Sequence, residues 1–240
     1  MRIFWQYLKY FFFTAYNWSP LLAIFVLYHD VRGAFKYHIR TFAPVSLNKL
    51  SISNGDISKA SPYEAVNYYL LEKLLTSFRK LSDVTSIIDL GSGKGRAMVV
   101  AAHFGFTNIT GVEFAQELCA ESSENMKKVQ HKFPGIHWKV INDNVEHFTI
   151  GANDSAFFMF NPFTVEVLRS FLVNLEKSCR QFPRTIWFLY ASPLHKQLLV
   201  NNGYEIIFEK RFMNLEGIIA RKLTANPSFA AGKNLLNKSD

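Results

Sequence analysis

Cysteine is nearly absent from this chain of 240 residues: only Cys119 and Cys179 occur, with no C-x-x-C pair. That scarcity excludes a disulfide framework and a thiolate zinc site, and it fits a reducing compartment. The seven histidines are scattered without H-x-x-x-H spacing, so no metal is expected. Charged residues make up only 19% of the chain, and no run of five basic residues occurs. The pattern G-x-x-x-x-G-K-[ST] is missing too, which excludes a phosphate-binding P-loop. There are no internal repeats. What is present is apolar bulk, 49% hydrophobic with 23 phenylalanines, enough for one sizeable core. A net charge of +8 points to an anionic partner or to a positive bias beside a membrane.

The apolar bulk begins at the N-terminus. From Tyr10 to Tyr28, "YFFFTAYNWSPLLAIFVLY", nineteen residues carry no charge, close to the length that spans a bilayer. Trp5, Tyr7 and Tyr28 stand where interfacial aromatics are expected. Asn17, Ser19 and Pro20 oppose a single span, since the proline kinks or divides a helix. Lys9 interrupts the run and no small-residue cleavage site follows, which argues against a signal peptide. Residues 3–28 are therefore a membrane anchor or re-entrant hairpin, an interfacial segment, or a helix packed on the domain. If they span, Arg32, Lys36 and Arg40 leave the main domain on the cytoplasmic face. The expected location is cytoplasmic, with attachment to that face as the open question.

Four segments follow from composition: an apolar N-terminal one (1–44), a connector and cap helix (45–84), an α/β domain (85–224) and a polar tail (225–240). Ser61-Pro62-Tyr63-Glu64 matches a capping box with proline at the first helical position. It predicts a helix to about Leu81 with Val66, Leu70, Leu74, Phe78 and Leu81 on one stripe. Strands are expected at 86–90, 108–114, 137–143, 155–160, 185–191, 204–212 and 217–222. Helices are expected at 94–104, 116–132, 165–181 and 194–201. The first five strands are apolar runs separated by helices, the mark of a parallel sheet covered on both faces. The last two leave no room for a helix and pair as an antiparallel hairpin.

The residues that carry chemistry cluster after the first strand. In "DLGSGKGR" the strand ends at Asp89 and Leu90, and Gly91, Ser92, Gly93, Lys94 and Gly95 lead into a helix. Alternating glycines allow a tight turn, a close ligand approach and close helix–strand packing. A purely structural turn needs glycines as well. Amides left free at the helix start favour a carboxylate or phosphate. Arg96 stands where the third glycine of a dinucleotide G-x-G-x-x-G pattern falls. Glu113 closes the next strand, 22 positions after Gly91, where an acid accepts hydrogen bonds from ribose hydroxyls. Asp143 and Asn144 close the third strand at the same sheet edge, although "NDN" alone reads as a turn.

With these residues the chain resembles the class I S-adenosylmethionine-dependent methyltransferases, over roughly Ile87 to Leu223. "DLGSGKGR" is similar to their first motif, "GVEF" to the acidic second one, and "NPF" at Asn161–Phe163 to the motif after the fourth strand. It also resembles uncharacterised bacterial members bearing D-L-G-x-G-K-G-R and N-P-F. The resemblance implies an α/β, Rossmann-like seven-stranded sheet, mostly parallel, with an antiparallel C-terminal hairpin and an added N-terminal apolar helical segment. It implies S-adenosyl-L-methionine as cofactor. Asp89 and the backbone of Gly91, Ser92, Gly93 and Gly95 would hold the methionyl end, Glu113 the ribose, and Asp143 with Asn144 the adenine side. Asn161, Pro162 and Phe163 would meet the acceptor. "NPF" resembles the [DN]-P-P-[FYW] signature of amino-group methyltransferases but lacks its second proline. Tyr63 would cover the pocket or simply pack, and His195 is a surface residue or a substrate contact. The acceptor is expected to be a nitrogen such as a protein amine, or a small molecule. A membrane-borne lipid or quinone and a non-catalytic cofactor-binding role stay open. Nucleic acid is disfavoured, because no target-recognition domain accompanies the fold.

Overall fold

Apolar side chains alternate along the central strands, and the two sets bury against opposite helical layers. On β1 (Ser86–Leu90), β4 (Ala156–Phe160) and β5 (Ile186–Ala191), Ile87, Phe158 and Leu189 enter one core cluster. Ile88, Phe157 and Phe188 enter the other. A strand buried on both faces must sit inside a sheet covered on both faces. The structure, a computed structural model, describes residues 2–42, 44–45, 50, 63–160 and 163–223.

The sheet has seven strands. Besides β1, β4 and β5 these are β2 (Asn108–Glu113), β3 (His137–Asn142), β6 (Glu205–Phe212) and β7 (Leu215–Lys222). Their order is β3-β2-β1-β4-β5-β7-β6. The first five run parallel, and β7 pairs antiparallel with both β5 and β6. The strand order reverses between β1 and β4, which opens a crevice at the carboxyl ends of those strands. One layer contains α3 (Tyr68–Leu81), α4 (Arg96–His103) and α5 (Gln116–Gln130); the other contains α6 (Val165–Gln181) and α7 (Lys196–Asn201).

Several boundaries differ from the sequence reading. The helix expected from Pro62 starts at Tyr68, capped by Asn67, whose side-chain oxygen accepts from Tyr69 N at 2.9 Å. Tyr63 instead lies in an extended stretch bridged to Val45, and Ser61 and Pro62 are outside the described residues. The final hairpin turns on Met213 and Asn214 alone, so β7 begins at Leu215 rather than Gly217. The tail expected at 225–240 also lies outside the described residues.

The apolar N-terminus is two helices, α1 (Arg2–Asn17) and α2 (Pro20–Tyr37). Pro20 takes the first position of α2, and Ser19 caps it by accepting from Leu22 N at 3.0 Å. The proline thus divides the run instead of kinking it. Tyr7 and Tyr10 of α1 meet Phe42, beyond the end of α2, so the helices fold back alongside each other. Among the described residues no helix is long and apolar enough to cross a membrane.

Two polar contacts fasten this hairpin to the domain. Glu72 of α3 gathers Arg32, Lys36 and the Tyr37 hydroxyl. Deeper in, Arg96 donates to Asp30 Oδ1 at 2.6 Å, to Thr41 Oγ1 at 2.6 Å and to the Val66 carbonyl at 2.7 Å. Its guanidinium also stacks on the Tyr68 ring. Both charges of the Arg96–Asp30 pair are 4% exposed. Breaking one side of such a pair strands the other charge. Asp30→Ala is expected to lower the unfolding free energy by about 3–5 kcal/mol in urea titrations. Asp30→Leu combined with Arg96→Met should cost less, because no buried charge is left over.

Candidate functional site

The glycine turn lies at the β1/β4 reversal, and its conformation explains its composition. Gly91, Gly93 and Gly95 have φ of 76°, 52° and 76°, a region side chains disfavour. A Cβ at Gly93 would run into the Tyr63 ring, and one at Gly95 into Ser122. Gly111 of β2 permits the same closeness from below, where a Cβ would meet the Met98 sulfur and the Ser92 hydroxyl. Asn125 of α5 donates to the Lys94 carbonyl at 2.9 Å and holds the loop from its far side.

Free amides were expected at the helix start; in the turn before it, four amides are already bonded. Gly91 N and Ser92 N both donate to the Val112 carbonyl, and Gly95 N donates to that of Ser92. Gly93 N donates to Glu113 Oε2 at 2.9 Å, while Ala115 N donates to Glu113 Oε1 at 2.9 Å. The end of β2 thus takes up three of the amides that a phosphate could have used. The Ser92 hydroxyl is buried beneath the loop and has no partner among the described residues.

Carboxyl groups line the crevice instead. Glu113 faces the glycine turn and is 4% exposed, and its carboxylate has lone pairs left beyond the two amide bonds. Asp89, also 4% exposed, makes no side-chain hydrogen bond among the described residues. Burial, and then the charge of Glu113, push its carboxyl up to about 8. Two buried acids thus face one hollow, and a cation entering it would favour their ionised forms.

Asp143 follows β3, and its backbone amide donates to the Glu113 carbonyl at 3.1 Å. The third acid is therefore tied to the second. The Asp143 side chain is half-buried and accepts from Asn144 N, while Asn144 accepts from Glu146 N in a local turn. Asn161 and Pro162 lie outside the described residues. Phe163 is partly buried and packs against the cluster beneath α6. His195 caps α7 beyond β5, apart from the acids of the turn.

Beside the ends of β4 and β5 lies a cavity of about 80 Å³. Phe160, Ser192 and Leu215 form its floor, Tyr10, Val26 and Asp30 of the hairpin its roof, and Glu64, Asn67 and Leu70 its side. The Nδ2 amide of Asn67 is buried there with no partner. Sequence reasoning missed Arg96, Gly111 and Asn67 as parts of this region. A glycine inside the apolar strand "ITGVEF" signals a close backbone approach. An arginine opening a helix, against the macrodipole, signals a buried partner.

The fold is that of the class I methyltransferases. The ribosomal protein L11 methylase of Lactobacillus delbrueckii subsp. bulgaricus superposes with a TM-score of 0.50 and 15% identity, over 71% of this chain and 84% of its own. A protein of Pyrococcus horikoshii described as a candidate RNA methyltransferase does so with a TM-score of 0.50 and 18% identity, over 75% of this chain and 96% of its own. No family model matches the chain, and no curated protein matches it.

The raised Asp89 carboxyl has a measurable consequence. A folded-state value near 8 lies above the unfolded one of about 4, so the unfolded chain ionises this group first. Stability is expected to fall through this group as pH rises from about 4 to about 8. Asp89→Asn should flatten that dependence in thermal unfolding measured across the range.

Proposed function

We propose that this chain is an S-adenosylmethionine-dependent methyltransferase acting on a nitrogen acceptor such as a protein amine. The observation that carries the reading is the pair of buried acids at the sheet reversal, with Glu113 anchored on Gly93 and Asp89 lacking a donor. Asp89 would hold the methionyl ammonium, with the backbone of Gly91, Ser92, Gly93 and Gly95 enclosing that end. Glu113 would hold the ribose hydroxyls, and Asp143 with Asn144 the adenine edge. The residues present fit a positively charged cofactor better than a phosphate, because the amides of Gly91, Ser92, Gly93 and Gly95 are already bonded and two carboxyls face the hollow. When bound, the cofactor supplies a methyl group activated by a sulfonium.

The protein's own task is then to orient the acceptor and exclude water. Asn161 and the carbonyl of Pro162 offer oxygens that accept from an amine N–H and aim its lone pair. Phe163 shields the same edge. The cavity beside β4 receives the acceptor, and Asn67 Nδ2 donates to a carbonyl oxygen near its nitrogen. A lipid or quinone acceptor is the second reading, favoured by the apolar helices that roof this cavity with Tyr10 and Val26.

Calorimetry with S-adenosylmethionine tests the cofactor site. Wild type should bind, Gly93→Arg and Glu113→Ala should weaken binding more than about tenfold, and Asn161→Ala should bind normally yet transfer little label. Undiminished binding in both of the first two variants would overturn the site. The acceptor contact has its own test, since Asn67→Ser keeps a capping oxygen for α3 but removes the amide. It should leave the unfolding midpoint unchanged and raise the acceptor KM about 3- to 10-fold, the worth of one hydrogen bond.

A further inference from the structure

The α1–α2 hairpin has two apolar faces, and the domain covers only one. The inner face of α2 buries Leu22, Val26, Gly33 and Tyr37. On the opposite side Leu21, Ile24, Tyr28, Val31 and Phe35 recur at intervals of three and four, which aligns them along the whole helix. They are 64%, 57%, 62%, 39% and 77% exposed. The outward side of α1 repeats the pattern with Trp5, Phe12 and Tyr16, and Trp18 continues it at the junction, each more than half exposed. Aromatic side chains offer about 150–250 Å² apiece. The face therefore exceeds the roughly 300–600 Å² of the largest apolar patch on an ordinary monomer.

Charge identifies the occupant. In the first forty residues Asp30 is the only acid, and it is buried against Arg96. The bases there are Arg2, Lys9, Arg32, Lys36 and Arg40, of which Arg32 and Lys36 already pair with Glu72 of α3. Lys9 lies within the outward stripe of α1, between Trp5 and Phe12, and is exposed. Tryptophan and tyrosine among aliphatic residues, with exposed Lys9 in the stripe and no acid on either helix except the buried Asp30, suit the headgroup level of an anionic bilayer. A protein seam would have to bury the Lys9 charge. A lipid interface lets it reach the phosphates.

We propose that the outer face of the α1–α2 hairpin docks on an anionic lipid surface, with both helices lying in the interface plane. The helices do not cross it, consistent with the absence of a spanning helix among the described residues. An interfacial helix buries its apolar side at the headgroup–acyl boundary and presents its other side to the protein. Here that inner side roofs the cavity beside β4, so docking sets the cavity one helix thickness from the lipid.

Sedimentation of the full chain with phosphatidylcholine vesicles, with and without phosphatidylglycerol, tests this. The chain should pellet with the anionic vesicles and be released by salt. Ile24→Glu with Phe35→Glu should weaken that partition about tenfold or more, while the unfolding midpoint and cofactor binding stay at wild-type values. Lys9→Glu should weaken it by a smaller factor. A chain that stays in the supernatant with both vesicle types overturns the proposal, as does equal binding to neutral and anionic vesicles. So does a dimer in analytical ultracentrifugation that the double variant turns into a monomer. None of these outcomes depends on methyl transfer, so the docking face and the proposed activity fail separately.

Discussion

The Arg96–Asp30 pair joins the two halves of this molecule. Arg96 opens the helix after the glycine turn, so it belongs to the α/β core. Asp30 belongs to the N-terminal hairpin, 66 positions earlier in the chain. With Thr41 and the Val66 carbonyl on the same guanidinium, one side chain gathers α2, the chain after it and the entry to α3. Desolvating two charges is unfavourable unless their remaining hydrogen-bonding groups are satisfied. The pair therefore holds only one arrangement of hairpin and turn. Tyr63 extends the coupling, because its ring covers Gly93 while its hydroxyl donates to the Thr41 carbonyl at 2.7 Å.

That coupling gives the crevice its chemical character. The hairpin closes over a turn that gives the amides of Gly91, Ser92 and Gly93 to the end of β2, leaving two acids prominent in the hollow. A phosphate-binding turn of similar glycine content leaves its amides outward. Here Glu113 draws the Gly93 amide inward, and the electrostatics reverse. The distinction between these two ligand classes lies in where a few N–H groups point, not in the number of glycines.

Much of the α/β core was legible because the strands are short apolar runs bounded by turn residues, and β1 and α6 fall where periodicity places them. The acids Asp89 and Glu113 were legible because they interrupt otherwise apolar stretches. The start of α3 was misread because Ser61-Pro62-Tyr63-Glu64 imitates a cap. Tyr63 instead goes to the glycine turn, and Asn67 supplies the cap. Arg96 was seen only as a missing glycine, since its partner Asp30 is remote in sequence and local patterns carry no record of such pairings. The N-terminus read as one run because hydropathy does not reveal which side of a helix a neighbour covers. Only packing shows that α2 has an inner and an outer apolar face.

The placement of β7 between β5 and β6 bears on how the chain is made. Residues 215–222 are among the last of the main domain to leave the ribosome, yet they supply the strand that both neighbours pair with. Until they emerge, β5 is an unpaired edge and β6 has no seat in the sheet. Unpaired edges invite association with other chains. The nascent protein thus carries an exposed sheet edge until β7 emerges, and a truncation that removes β7 prolongs that state indefinitely.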